Sequence, residues 1–471
     1  MQPAAPPDGL ADWTAPAATG PVRARLRPPG SKSVTNRALI LAALGSGPTT
    51  ITSPLRARDT ELMAGALRAL GASIDELGRG AGADRDVVAR PDADARPDGD
   101  ARPDVEAAAW QVTPGQPGER AVVDVGNAGT VLRFVPPAAA LVRADVEFRG
   151  DARASKRPVG PLLAALRELG AVIDDEGRGA VPFIVRGRGA VSGGTVTLDA
   201  SGSSQLVSGL LLAAPRYDKG AEVCHRGPRV PSAPHIAMTV QMLRDAGAHI
   251  EAWNAGRESA VPDRWRVHPG ELRPRALVVE PDLSNAAPFL AAALVTAGSV
   301  TITDWPARTL QPAGQILDVL TQMGAHCEQV AEGMRVTGSG RIHGIAANLG
   351  DVSEIVPVLT ALAAMADSPS AFTGIGHMRT HETDRLAALA AEIGSLGGDV
   401  AEREDGLVIR PRPLRAGGGA FATYDDHRLV MAAAVLGLAL PGGLPVGNAA
   451  TVGKTFPGFT RMWSGMLERF P

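Results

Sequence analysis

Of the 47 basic side chains in this 471-residue chain, only four are lysines, at positions 32, 156, 219 and 454. Where arginine is otherwise preferred, a compact ammonium marks a position needing a point charge or a proton that a guanidinium cannot readily release. Lys32 lies in Pro29-Gly-Ser-Lys-Ser-Val-Thr-Asn-Arg37, and Lys454 opens Lys454-Thr-Phe-Pro457. The first of these also carries Arg37, and comparable segments carry Arg157 before a proline, Arg385 in His381-Glu-Thr-Asp-Arg385, and Arg428 in Asp425-Asp-His-Arg428. Two acids, Glu354 and Glu382, occur in the same kind of setting. Clustered cations with a few carboxylates suit the binding of anionic substrates and the movement of protons between them.

The elements that must position these residues are helices. Six polar clusters each open an Ala/Leu-rich run: Ser33–Arg37, Asn127–Thr130, Ser203–Gln205, Leu283–Asn285, Asp351–Glu354 and Asp425–Arg428. Small polar residues before an apolar run are N-cap signals, and a helix start offers unpaired N–H groups to phosphate or carboxylate. Taken singly, each cluster also fits an ordinary cap. A second signature ends helices: apolar-x-x-apolar-Gly-Ala/Gly at Leu67–Ala72, Leu166–Ala171, Leu243–Ala248, Leu320–Ala325 and Ile393–Gly398. Glycine there supplies the positive φ of a helix C-terminus before a short strand. The resulting period of about 75 residues predicts an α/β chain of six repeated β/α units, three per domain. Val22–Leu26 is expected to return to the second domain, and the sixth unit to be degenerate at 461–470.

The expected organisation is a disordered tail over 1–20, a first lobe over 32–279, and a second lobe built from 21–31 and 280–471. An Ala-Arg-Pro-Asp stretch, repeated at 89, 95 and 101, marks 78–110 as a partly disordered insertion. A net charge of −3 excludes polyanion capture through bulk charge. Two cysteines with no ligand spacing exclude a disulfide framework and a Cys-rich zinc site, and fit a reducing cytoplasm. The longest uncharged apolar run, Leu429–Leu440, is too short to span a bilayer. No metal, cofactor, nucleic acid or membrane partner is expected.

Together the segments Pro29–Arg37, Gly126–Thr130, Arg157–Pro158, Ser203–Gln205, His381–Leu386, Asp425–Arg428 and Lys454–Pro457 resemble the 5-enolpyruvylshikimate-3-phosphate (EPSP) synthase family. The likeness runs from about Val22 to the C-terminus. It implies the two-domain, inverse α/β barrel-like enolpyruvyl transferase fold, with the enolpyruvyl group of phosphoenolpyruvate moved to the 5-hydroxyl of shikimate 3-phosphate. It assigns Lys32, Ser33, Arg37, Ser203, Ser204, Gln205, Ser232, Glu354 and His381 to shikimate 3-phosphate. Phosphoenolpyruvate falls to Lys32, Gly129, Arg157, Gln205, Arg385, Arg428 and Lys454. Catalysis falls to Lys32, Glu354, Glu382 and His427, with Glu354 accepting the hydroxyl proton and Glu382 serving the methylene carbon. On residue type alone, Glu354 also fits a helix-dipole acid, Glu382 and Arg385 an i,i+3 pair, and His427 a structural hydrogen-bond partner.

Several positions depart from the commonest family pattern. His381 stands where many members carry lysine, His377 where many carry asparagine, His235 where tyrosine is usual, Glu354 for aspartate and Phe134 for proline. A histidine at 381 predicts a pH-dependent substrate cation. Retention of Gly129 implies inhibition by glyphosate in competition with phosphoenolpyruvate. The nearest alternatives are the UDP-N-acetylglucosamine enolpyruvyl transferase, which carries a loop cysteine that 150–160 lack here, and a non-enzymatic repeat scaffold. A monomer whose domains close over the two substrates is expected.

Overall fold

The computed structural model describes residues 11–77, 108–255 and 261–468. They divide into two compact units, with the chain crossing at Pro29/Gly30 and at Val279/Glu280. The N-terminal unit contains helices α1 (Lys32–Ala43), α2 (Arg58–Ala69), α3 (Gly129–Ala139), α4 (Gly160–Glu168), α5 (Ser204–Ala213) and α6 (Ala233–Asp245). The C-terminal unit contains α7 (Leu283–Thr296), α8 (Ala313–Gln322), α9 (Val356–Ala364), α10 (Arg385–Ser395), α11 (His427–Gly437) and α12 (Phe459–Leu467).

Each repeat has one plan. In Arg120–Asp124, Asp145–Arg149, Phe183–Arg186 and Val172–Asp174, the first two strands run parallel around a helical crossover and the last two close an antiparallel hairpin. Gly194–Leu198, Ala221–His225, Arg264–Val267 and Ile250–Trp253 repeat it, as do Ala346–Asn348, Ser370–Thr373, Gly406–Arg410 and Asp399–Arg403. Two sheets take their first strand from far along the chain. Leu277–Val278 pairs with Thr49–Thr52, and Arg23–Leu26 pairs with Ser299–Thr303. The five glycines of the helix-ending signature, Gly71, Gly170, Gly247, Gly324 and Gly397, all have φ between 87° and 104°. That region is where a side chain would be strained, and it turns each outer helix into its strand.

The odd-numbered helices form the core of each unit. Every residue of α3, α9 and α11 is buried, as their all-round apolar composition requires. α1, α3 and α5 pack together in one unit, and α7, α9 and α11 in the other. All six polar clusters begin such a helix. The cluster at 351–354 does so through a short 3-10 turn, Ser353–Ile355, which leads into α9.

Three boundaries differ from the sequence reading. The expected disordered tail over 1–20 contains a strand, Ala11–Ala15, antiparallel to Leu444–Gly447. The sixth repeat has only Phe421–Ala422 and Leu444–Gly447 of its own, so this N-terminal strand takes the place of the missing hairpin. A Cβ at Gly437 would come within 2.8 Å of the Ala15 carbonyl oxygen, so the strand seats directly on α11. The insertion placed at 78–110 lies outside the described residues up to 107, and its end is corrected by the strand Ala109–Thr113. Residues 30 and 31 group with the N-terminal unit rather than the second lobe.

Candidate functional site

In the N-terminal unit, caps fix where the odd helices begin. Ser31 Oγ accepts from Val34 N–H at α1, and Ser203 Oγ accepts from Gln205 N–H at α5. Each such cap is worth about 1 kcal/mol. Cross-links then hold the helix starts together. Asn36 Nδ2 donates to Thr130 Oγ1 at 2.7 Å, and Arg133 NH1 donates to Gln205 Oε1 at 2.9 Å. The same Arg133 reaches the Pro158 carbonyl, beside Arg157. Arg157 NH1 in turn donates to the Asn127 carbonyl at 2.7 Å. Lys32, the first residue of α1, has its Nζ 3.4 Å from Asp59 Oδ2. Ser203, Ser204 and Gln205 start α5, and Ser232 caps α6 in the left-handed region at φ 52°. Gly129 faces two guanidiniums. A Cβ there would lie 2.5 Å from Arg157 NH2 and 2.9 Å from Arg133 NH1, so glycine keeps the start of α3 open to an anion.

Arg37 is tied into the helices around it. It is 1% exposed and held by Thr239 Oγ1 at 2.7 Å, the Ser33 and His235 carbonyls at 3.0 Å each, and Ser208 Oγ. Its guanidinium carbon lies 5.1 Å from the centre of the Phe134 ring. Placed one turn into α1, its guanidinium reaches back to the first turn of that helix at Ser33 and across to α6 and α5. Burial pulls its pKa down to about 9. Among the described residues no carboxylate pairs with it within salt-bridge distance.

The C-terminal unit gathers the acids. Arg385 donates to Asp426 Oδ2 from Nε at 2.7 Å and to Glu382 Oε2 from NH2 at 2.9 Å, and Glu354 Oε2 lies 3.7 Å from NH1. Burial works against the charge of Arg385, but Asp426, Glu382 and Glu354 outweigh it and hold the guanidinium above its ordinary pKa. Arg428 Nε donates to Glu354 Oε2 at 3.2 Å, and its NH1 reaches Asn285 Oδ1 and the Ser284 carbonyl at the start of α7. Lys454 Nζ is 3.4 Å from Glu382 Oε1. Asp426 is fully buried and does two jobs, because Oδ1 also accepts the Arg428 backbone N–H as the cap of α11. His427 is buried beside it, with Nδ1 3.7 Å from Asp426 Oδ1.

The structure corrects the expectation for His381. Arg385 NH1, a donor, lies 3.0 Å from His381 Nδ1, so that nitrogen accepts and the ring is neutral. Burial, and then the charge of Arg385, push its pKa well below the ordinary value. It is a polar contact rather than a titrating substrate cation. Sequence reasoning also missed Arg133 and the pairing of Asp426 with Arg385. The i,i+4 spacing from Gly129 to Arg133 was the available signal for the first. Among the described residues, one group of three side chains could share a metal ion, and it includes none of these residues.

The model of the EPSP synthase (3-phosphoshikimate 1-carboxyvinyltransferase) family matches residues 16–86 and 102–463. Among solved structures, an EPSP synthase from Acinetobacter baumannii aligns over 96% of this chain and 97% of its own, at 24% identity and TM-score 0.73. The enolpyruvyl transferase NikO from Streptomyces tendae aligns over 96% of each chain, at 17% identity and TM-score 0.66. At these identities the structural likeness speaks for the fold, and the family match covers nearly the whole sequence. The chain belongs to the EPSP synthase family.

Proposed function

We propose that the two sets of helix-start residues serve one reaction, the family's transfer of the enolpyruvyl group of phosphoenolpyruvate to the 5-hydroxyl of shikimate 3-phosphate. In this reading Lys32, Ser33, Ser203, Ser204, Gln205 and Ser232 hold shikimate 3-phosphate, with Glu354 and His381 facing its ring. Arg37 contributes by fixing Ser33 and by its uncompensated buried charge. Phosphoenolpyruvate is held by Lys32, Gln205, Arg157, Arg385, Arg428 and Lys454, with Gly129 leaving room at the start of α3.

The substrate oxygen bonds to the central carbon of phosphoenolpyruvate while its proton passes to Glu354. The methylene carbon takes a proton from Glu382, giving a tetrahedral adduct. Elimination then returns a proton from the new methyl group and expels inorganic phosphate. Lys32 can share the proton traffic, since an ammonium releases a proton more readily than a guanidinium. His427 sits behind Asp426 and supports the arrangement.

The observation that carries this reading is that Glu354 and Glu382 face one guanidinium, Arg385, while Arg428 and Lys454 each hold one of them. Two carboxylates in different cationic surroundings suit one acceptor and one donor. The two free thiols, Cys224 and Cys327, support a cytoplasmic setting. Large exposed apolar side chains are confined to Leu77, Val122 and Val278 among the described residues, which supports a monomer.

The test is phosphate release with phosphoenolpyruvate and each acceptor alcohol. Release is expected with shikimate 3-phosphate and not with UDP-N-acetylglucosamine. Glu354→Gln and Glu382→Gln should each lower kcat by roughly 10²–10⁴-fold with little change in KM. Full turnover in either variant would remove that residue from proton transfer.

A further inference from the structure

An edge hairpin of the N-terminal unit pairs Ile250–Trp253 with Arg264–Val267. Its register sets Ile250 opposite Val267 and Glu251 opposite Arg266. One step further, His268 N–H donates to the His249 carbonyl at 3.0 Å, so the two histidines are cross-strand neighbours. Ile250 and Val267 are buried, and alternation therefore turns His249, Glu251 and His268 together onto the opposite, solvent face.

On that face the imidazoles lie nearly parallel, with centroids 4.3 Å apart and planes at 11°. Both Nε2 atoms approach one carboxylate oxygen. Glu251 Oε1 is 2.9 Å from His268 Nε2 and 3.9 Å from His249 Nε2. One donor atom from each residue can be chosen so that all three lie within 4.8 Å of one another. Ligands held tetrahedrally about 2.1 Å from an ion sit roughly 3.4 Å apart, a value the two separations bracket. Two imidazoles with one carboxylate select a borderline divalent ion over calcium or magnesium, which take all-oxygen shells. The opposing charge is Arg266, directly across from Glu251.

We propose that His249, Glu251 and His268 bind a divalent first-row transition ion of the zinc class, with water completing its shell. The ion cross-links the edge strand Ile250–Trp253 to its neighbour. None of the three residues belongs to the substrate-binding sets, so occupancy bears on stability and not on turnover.

The test uses the untagged full-length chain, stripped with a chelator and titrated calorimetrically with Zn²⁺. One ion per chain and a raised Tm are expected. Glu251→Gln and His268→Ala should each weaken binding by more than the roughly 10–100-fold typical of losing an outer partner. His343→Ala, at a separate exposed histidine 3.0 Å from Asp367, should leave binding intact. Phosphate release from both substrates, unchanged in the variants, shows that they fold. In the unsubstituted chain, Zn²⁺ should shift the imidazole resonances of two histidines. No saturable binding, equal binding by the His249→Ala/His268→Ala double variant, or no such shift would overturn the proposal.

Discussion

Single residues here are tuned chiefly by what surrounds them. Gly129 is defined by the guanidiniums of Arg157 and Arg133, and Asp426 by the two arginines it serves at once. His377 shows the cost of such surroundings. Burial, which dominates over the raising effect of Glu354, brings its pKa down to about 4. With a folded value below the unfolded 6.5, its neutral form contributes no penalty above pH 6.5. Stability is lost as pH falls from 6.5 towards 4, because the unfolded chain takes up the proton first. The loss is at most about 3 kcal/mol. Thermal melts of the parent and of His377→Asn between pH 4 and 7 should show a smaller acid loss in the variant. Parallel pH curves would refute the assignment.

Among the elements, the strand Ala11–Ala15 has the longest reach. Asp12 Oδ1 accepts the Ala449 N–H at 2.8 Å, at the start of the 3-10 turn Ala449–Lys454. The carboxylate thus anchors the turn that ends in Lys454, whose ammonium faces Glu382. Trp13 adds an edge contact to Phe459 in α12, with centroids 6.4 Å apart. Asp12→Ala should lower stability by about 1 kcal/mol, as loss of a cap does. It should also raise KM for phosphoenolpyruvate and lower kcat together, since displacing Lys454 also removes the ammonium that faces Glu382. Steady-state kinetics and melts of the variant test both parts. An unchanged KM would separate the strand from the site.

At the scale of the whole molecule, the two units differ in how self-sufficient they are. The N-terminal unit holds all strands of its three sheets within 30–279. The C-terminal unit needs Ala11–Ala15 and Arg23–Leu26 to complete two of its three. A fragment of residues 30–279 should therefore fold cooperatively by itself. A fragment of 280–471 should leave two sheet edges open and aggregate unless residues 11–29 are restored, for example by fusion. Calorimetry and circular dichroism of the fragments decide this, and cooperative folding of 280–471 alone would contradict it.

The amino-acid sequence alone determined the repeat, the helix starts and the helix-ending glycines, because caps and positive-φ turns are decided by a few neighbouring residues. It also marked Lys32, Arg385, Arg428, Lys454 and the two glutamates as residues of one kind of setting. Only the tertiary structure decided which of them meet. Burial ties Arg37 between helices and leaves His381 a neutral ring beside Arg385, and neither surrounding can be read from residue type. The N-terminal segment reads as an unstructured tail in composition, and becomes a strand because a distant repeat lacks its hairpin. His249 and His268 are far apart in sequence and become neighbours through strand register. Desolvation and long-range pairing belong to the packed chain, and local spacing does not encode them.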